Sequence, residues 1–162
     1  MIKIYVSGDA EKVIPEFEKF GFDYFSPRGL IASLSPEGRT DKSKMVFAQG
    51  QEMVSSNILL AVGDSTETAY DVGYWMALKD HFKYKSKKSF DEHQRYLVTL
   101  ETNGQKFHPM LHGNADAHLT SEIDLMGFFG SVAGNWDAPV GKENHPEWQN
   151  NSIRRRKILN QF

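Results

Sequence analysis

Apolar positions along this chain fall into short continuous runs that alternate with stretches of helical spacing. The clearest run is Ile58 to Val62, ILLAV, short and unbroken as in a strand buried on both faces. It is followed by the turn Gly63-Asp64-Ser65-Thr66, rich in helix-capping residues, and from Thr66 the pattern is helical. Tyr70, Gly73, Tyr74 and Ala77 then fall on one side of that helix. Lys3 to Val6 predicts a first strand, Phe22 to Phe25 a second, Tyr96 to Leu100 a fourth and Ala117 to Leu119 a short fifth.

Helices are expected between these strands. One runs from Ala10 to about Phe20, with Pro15 awkwardly inside it and Gly21 as terminator. Another covers Met45 to Ser56, and a third is capped by Thr120-Ser121-Glu122 and continues through Phe129. Ser26-Pro27-Arg28-Gly29 and the unpatterned residues 31–44 read as loop, with Arg28 an exposed loop arginine. The basic stretch 81–94 reads as a solvated insertion. Strands alternating with helices predict an α/β fold whose parallel sheet is covered on both faces.

Composition narrows the possibilities. The 162 residues suffice for one domain with a sizeable core. A net charge of -2 gives no global reason to expect nucleic acid or an anionic membrane as partner. The absence of cysteine excludes disulfides, thiolate catalysis and cysteine metal sites. The start, MIKIYVSGD, enters a strand directly, and no apolar run approaches the ~18 residues of a membrane helix, so a soluble cytoplasmic protein is expected.

Motifs for familiar chemistry are few. GxSxG, GxGxxG and GxxxxGK[ST] are absent. His108 and His112 have the spacing of a zinc helix, with Asp116 and His118 nearby, but Pro109 interrupts the first turn and there is no HExxH glutamate. No metal and no cofactor is therefore assigned. Ser7-Gly8 is a small-residue turn of the kind that brings backbone N–H groups against an anion. The remaining candidate is a pair of carboxylates. Glu67 and Asp71, four residues apart, share a face of the central helix just past the end of a strand, where open α/β sheets place their ligands.

The stretch TAYDVGYWMAL, residues 68–78, resembles the helix start of the nucleoside 2-deoxyribosyltransferases, which reads roughly GTxxExGYAxAL. KIYVSG, FDYFSPRG and RYLVTLETNGQKFHPMLHG are similar to that family's first, second and fourth strands with their following segments, so the likeness spans about residues 1–130. It implies a flavodoxin-like, three-layer sandwich with a roughly five-stranded parallel sheet in residues 1–131, and a C-terminal extension over 132–162 packed on it or on a neighbouring subunit. It implies an enzyme that exchanges the base of a 2'-deoxynucleoside through a covalent glycosyl-carboxylate intermediate. The alternatives are a deoxynucleoside 5'-monophosphate N-glycoside hydrolase and a non-catalytic nucleoside- or nucleotide-binding module.

By register Asp71 stands where the family has its nucleophilic glutamate, one methylene shorter, and Glu67 is a possible substitute. The resemblance places Tyr5, Ser7, Gly8, Gln49, Asp64, Ser65, His108 and Met110 around the substrate. Its partners would be a nucleoside or nucleotide and a free base, with no nucleic acid or membrane, in a homodimer or larger homo-oligomer.

Overall fold

The structure, a computed structural model, describes residues 2–34, 42–85 and 95–135, except for the side chains of 42, 82–85 and 135. Five strands form one parallel sheet: β1 (Lys3–Gly8), β2 (Asp23–Phe25), β3 (Ile58–Val62), β4 (Tyr96–Leu100) and β5 (Ala117–Leu119). Their order is β2-β1-β3-β4-β5, the flavodoxin-like arrangement. All four strand pairings are parallel. The chain therefore moves outward to β2, returns past β1 to β3 and then proceeds the other way. That reversal opens a crevice at the carboxyl ends of β1 and β3.

Alternation along the strands divides the core into two layers. Ile4, Val6, Leu60, Val98 and Leu100 face α1 (Ile14–Phe20) and α6 (Glu122–Asn135), meeting Phe17, Phe128 and Phe129. Phe17 and Phe129 pack edge to face with centroids 5.0 Å apart. On the opposite face Tyr5, Leu59, Ala61 and Leu97 meet Met53 of α3 (Lys42–Ser55) and Val72 and Trp75 of α4 (Thr66–Lys85). The short α5 (Pro109–Asn114) follows Phe107, which is buried in that same layer.

Local chemistry explains most element boundaries. Asp9 is followed by a 3₁₀ turn, Ala10–Lys12, and α1 starts only at Ile14, so that Pro15 lies in the first turn where its missing N–H costs nothing. The single helix expected from Ala10 is thus two pieces. Gly21 ends α1 in the left-handed region at φ 67°. The loop expected from Ser26 is instead α2 (Pro27–Ser33): the Ser26 hydroxyl accepts from the Gly29 N–H at 3.3 Å, and Pro27 pre-sets the first helical residue. α4 continues to Lys85, further than the insertion boundary at 81; residues 86–94 lie outside the described part. α6 runs to Asn135, and the rest of the expected C-terminal extension also lies outside it.

Two long-range links tie the helices to the sheet. Lys79 of α4 donates to Asp116 Oδ2 at 3.1 Å, and the same carboxylate oxygen accepts from Leu97 N–H at 2.7 Å. Arg95 extends beneath Trp75, 5.3 Å from its ring centre, and donates to the carbonyls of Met53 and Val54 at the end of α3. It satisfies helix carbonyls that have no partner within α3 itself.

Candidate active site

The crevice is shaped first by backbone. Gly8, the last residue of β1, has φ +90°, and a Cβ there would lie 2.2 Å from the Val62 carbonyl oxygen. Only glycine allows the ends of β1 and β3 to approach this closely. Gly63 similarly sits at φ +74° beside the Thr102 hydroxyl. The chain then enters α4 through a reciprocal cap. Thr68 N–H donates to Ser65 Oγ at 3.2 Å, and Ser65 N–H donates to Thr68 Oγ1 at 2.8 Å. Thr68 also donates to the Gly63 carbonyl at 3.0 Å. The first turn of α4 is therefore held rigidly over the sheet.

Asp71 projects from the second turn of α4 into this crevice. It is only 4 % exposed, and its Oδ2 accepts a 2.6 Å hydrogen bond from the Ser7 hydroxyl, itself fully buried. The Tyr5 hydroxyl approaches the same carboxylate but makes no hydrogen bond of standard geometry. Burial pushes the Asp71 carboxyl up to about 6, the Ser7 hydrogen bond opposes that rise, and the negative charge of Glu67 adds to it. Tyr5, packed 5.5 Å from Phe25, is held well above the ordinary phenol range by burial and then by the Asp71 charge, so it remains a proton donor.

Glu67 lies nearer the surface. Its Oε2 accepts from Arg28 Nε at 2.9 Å, an ion pair that spans from α2 to α4 above the crevice. The helix at Pro27–Ser33 gives Arg28 this reach, which an unstructured loop would not. Asp64 Oδ2 accepts from the His108 N–H at 3.0 Å and joins the turn after β3 to the segment after β4. His108 caps α5, its Nδ1 accepting from Met110 N–H at 3.3 Å.

The expected residues thus separate by position. Tyr5, Ser7, Gly8, Glu67 and Asp71 come together, with Asp64 and Ser65 shaping the adjoining turn. Met110 is 70 % exposed on α5 and stands outward. Gln49 is half-buried on α3. Glu52, one turn further along α3, forms an ion pair with Lys3 at the start of β1, away from the crevice.

His112 stacks at 3.5 Å on His118, whose Nδ1 lies 2.7 Å from Thr99 Oγ1. Among the described residues no group of three or more His, Cys, Asp or Glu is placed to hold a metal ion.

The Ser7–Asp71 bond and the Arg28–Glu67 pair are not evident in the sequence, since each joins segments far apart in the chain. A partial signal for the first was present. Ser7 stands two residues from inward-facing Tyr5, so its hydroxyl shares the face toward the helix that carries Asp71.

Strand order, a glycine-tight crevice and a buried carboxylate define a flavodoxin-like α/β protein with that carboxylate at its topological switch point. The chain shares its fold with a 2-deoxyribosyltransferase from Bacillus psychrosaccharolyticus, at TM-score 0.60 and 16 % identity over 76 % of this chain and 90 % of that one. A conserved protein from Enterococcus faecalis V583 matches at TM-score 0.58 and 16 % identity, over 80 % of this chain and 98 % of that one. A 2-desoxiribosyltransferase from Leishmania mexicana matches at TM-score 0.50 and 15 % identity, over 80 % and 98 % respectively. No protein-family model matches the sequence, and no curated protein matches it significantly. The family resemblance read from the sequence therefore reappears in three dimensions as a shared fold. Among the described residues no helix is long and apolar enough to cross a membrane.

Proposed function

We propose that this protein is a nucleoside 2-deoxyribosyltransferase-like enzyme that exchanges the base of 2'-deoxynucleosides, with Asp71 as its nucleophile. The observation that carries the reading is the buried Asp71 carboxylate, fastened to Ser7 at 2.6 Å in the crevice between β1 and β3. Burying a carboxylate is costly, and one kept in place with a hydrogen-bond donor and a nearby phenol suits a charge-developing reaction.

In the proposed reaction an Asp71 oxygen attacks C1' as the C1'–N bond breaks. The departing base keeps the bonding electron pair and takes up a proton, and the incoming base gives up the N–H proton of its attacking nitrogen, so the exchange balances. The nitrogen of a second base then attacks C1' and releases the carboxylate. Two inversions retain configuration, as in retaining glycosidases. The anionic carboxylate beside C1' stabilises the positive charge that develops there. Tyr5, protonated throughout, limits the repulsion that a second anion would add. Asp71 is favoured over Glu67 because Glu67 is engaged by Arg28 and lies nearer solvent.

A second reading rests on Arg28. A guanidinium at the mouth of the crevice suits a 5'-phosphate, and in that reading water replaces the second base and the protein is a deoxynucleoside 5'-monophosphate N-glycoside hydrolase. Salvage of bases in the cytoplasm is the setting that either chemistry implies. The exposed His108 and Met110 on and beside α5 suit contact with a neighbouring copy in a dimer or larger homo-oligomer.

The test is a chromatographic assay that offers deoxynucleosides with free bases, and deoxynucleoside monophosphates in parallel. New nucleosides that disappear with Asp71→Asn support base exchange. Free base alone, released faster from monophosphates, supports the hydrolase. Ligand binding without turnover leaves a nucleoside- or nucleotide-binding module and overturns both enzymatic readings.

A further inference from the structure

We propose that Ser7 is a positioning residue for Asp71: its hydroxyl holds Oδ2 and so leaves Oδ1 as the oxygen presented to the reacting carbon. The inference rests on reading Asp71 as the nucleophile. It also reassigns Ser7, which by resemblance alone stands among the substrate ligands.

The hydrogen bond is anchored independently at each end. Ser7 lies on the central strand β1, in register with Ala61 of β3, and its side chain has no exposed surface. It cannot turn away by a shift of backbone. Gly8, immediately after it, is wedged against the Val62 carbonyl, and the nearest side-chain atom to its missing Cβ belongs to Thr68. Asp71 is fixed from the other side. Its helix is clamped one turn earlier by the Ser65–Thr68 cap and by the bond from Thr68 to Gly63.

The contact at 2.6 Å lies within the range for a hydroxyl donating to an ionised carboxylate. An isolated carboxylate has two equivalent oxygens and swings about its last torsion. A single strong donor removes both freedoms. It selects Oδ2 as its acceptor and leaves Oδ1 without that donor, with the Tyr5 hydroxyl nearby.

The shorter aspartate makes this matter more, because an ångström of misplacement costs about a hundredfold in rate. The groups that face Asp71 are Ser7 and Tyr5 from β1 and Glu67 from its own helix, with Arg28 of α2 paired to Glu67. Ser7 is the one among them that makes a normal hydrogen bond to the carboxylate. It opposes the effects of burial and of Glu67, and keeps the carboxylate charged near neutrality.

The experiment follows the Asp71 carboxyl by carbon-13 NMR titration in the full chain, for wild type, Ser7→Ala and Ser7→Thr, and measures pH–rate profiles for base exchange and hydrolysis. In Ser7→Ala the titration midpoint rises by at least about half a pH unit. On the alkaline plateau, where Asp71 is ionised in both proteins, kcat falls about tenfold while KM moves less than about twofold. Ser7→Thr, which restores the hydroxyl, returns both toward wild type. Should Ser7→Ala fail to fold, Ser7→Cys, with a similar volume and a weak donor, is read in the same way.

An unchanged midpoint overturns the proposal, and so does a plateau kcat equal to wild type in an active enzyme. A wild-type protein without turnover overturns Asp71 as nucleophile and, with it, the role of Ser7 in catalysis. The midpoint shift would then still report the hydrogen bond itself, so the two failures are distinguishable.

Discussion

Arg28 and Glu67 form an ion pair across the mouth of the crevice, Nε to Oε2 at 2.9 Å, joining helices that the chain separates by 39 residues. Both side chains are partly exposed, so the pair adds little to stability. Its consequence is electrostatic. Glu67 contributes a negative charge that raises Asp71, and Arg28 stands against that charge. Glu67→Gln therefore lowers the Asp71 midpoint by a few tenths of a pH unit up to about one unit. The acidic limb of any activity profile moves down with it, and the NMR titration checks the same shift directly. A limb that moves upward would contradict the placement of Glu67 beside Asp71.

Arg28→Gln separates the two substrate classes. If Arg28 binds a 5'-phosphate, KM for monophosphates rises by about ten- to a hundredfold, and turnover of unphosphorylated deoxynucleosides changes little. Equal losses on both substrates would assign Arg28 to holding Glu67 rather than to recognition.

Asp71 links activity and stability in opposite directions. Its carboxyl is raised in the folded state to about 6, above its ordinary value of 3.8. Its contribution to stability is thus fully present below the unfolded value and is lost as pH rises through the folded one. At pH 8 the buried charge costs up to about 2–3 kcal/mol, and Asp71→Asn raises Tm there while abolishing turnover. Near pH 3 the two proteins melt within about a degree of each other. Thermal melts at the two pH values check this, and a mutant less stable than wild type at pH 8 would refute it.

Gly8→Ala tests the backbone of the crevice. The new Cβ meets the Val62 carbonyl oxygen at 2.2 Å on a backbone with φ +90°. Strain and displacement together cost at least about 2 kcal/mol, or ~5 °C in Tm. Differential scanning calorimetry measures it. A drop of less than about one degree would mean that the ends of β1 and β3 separate easily.

Lys79→Met removes the ammonium that donates to Asp116 Oδ2 at 3.1 Å, where the aspartate is only 2 % exposed. The expected loss is about 1.5–3 kcal/mol in urea unfolding, since the carboxylate keeps its hydrogen bond from Leu97 N–H. A loss below about 1 kcal/mol would show that the pair is hydrated rather than buried.

Much of the fold was legible in the sequence because it rests on local regularities. ILLAV is β3 and YLVTL is β4, residue for residue, since apolar runs bounded by turn residues have few alternatives. α2 was missed, although Ser26-Pro27 carries a start signal, because the mixed composition after Gly29 shows no helical period. At the site, Asp71 and Glu67 were legible only as a pair of candidates on one helix face, and the difference in their surroundings was not. Both lie on one helix face, and only Ser7 and Arg28, brought in from other segments, make one of them buried and the other paired. Tyr70, Gly73, Tyr74 and Ala77 share a face as the spacing indicated, but that face is exposed, and Thr68, Asp71, Val72 and Trp75 point inward.

The two outermost strands, Asp23–Phe25 and Ala117–Leu119, have three residues each, whereas those between them have five or six. A foreign strand adding to either rim finds too few unpaired backbone groups to grow along. The same taper that concentrates hydrogen bonding around the crevice thus protects the sheet against edge-to-edge association when the protein is concentrated.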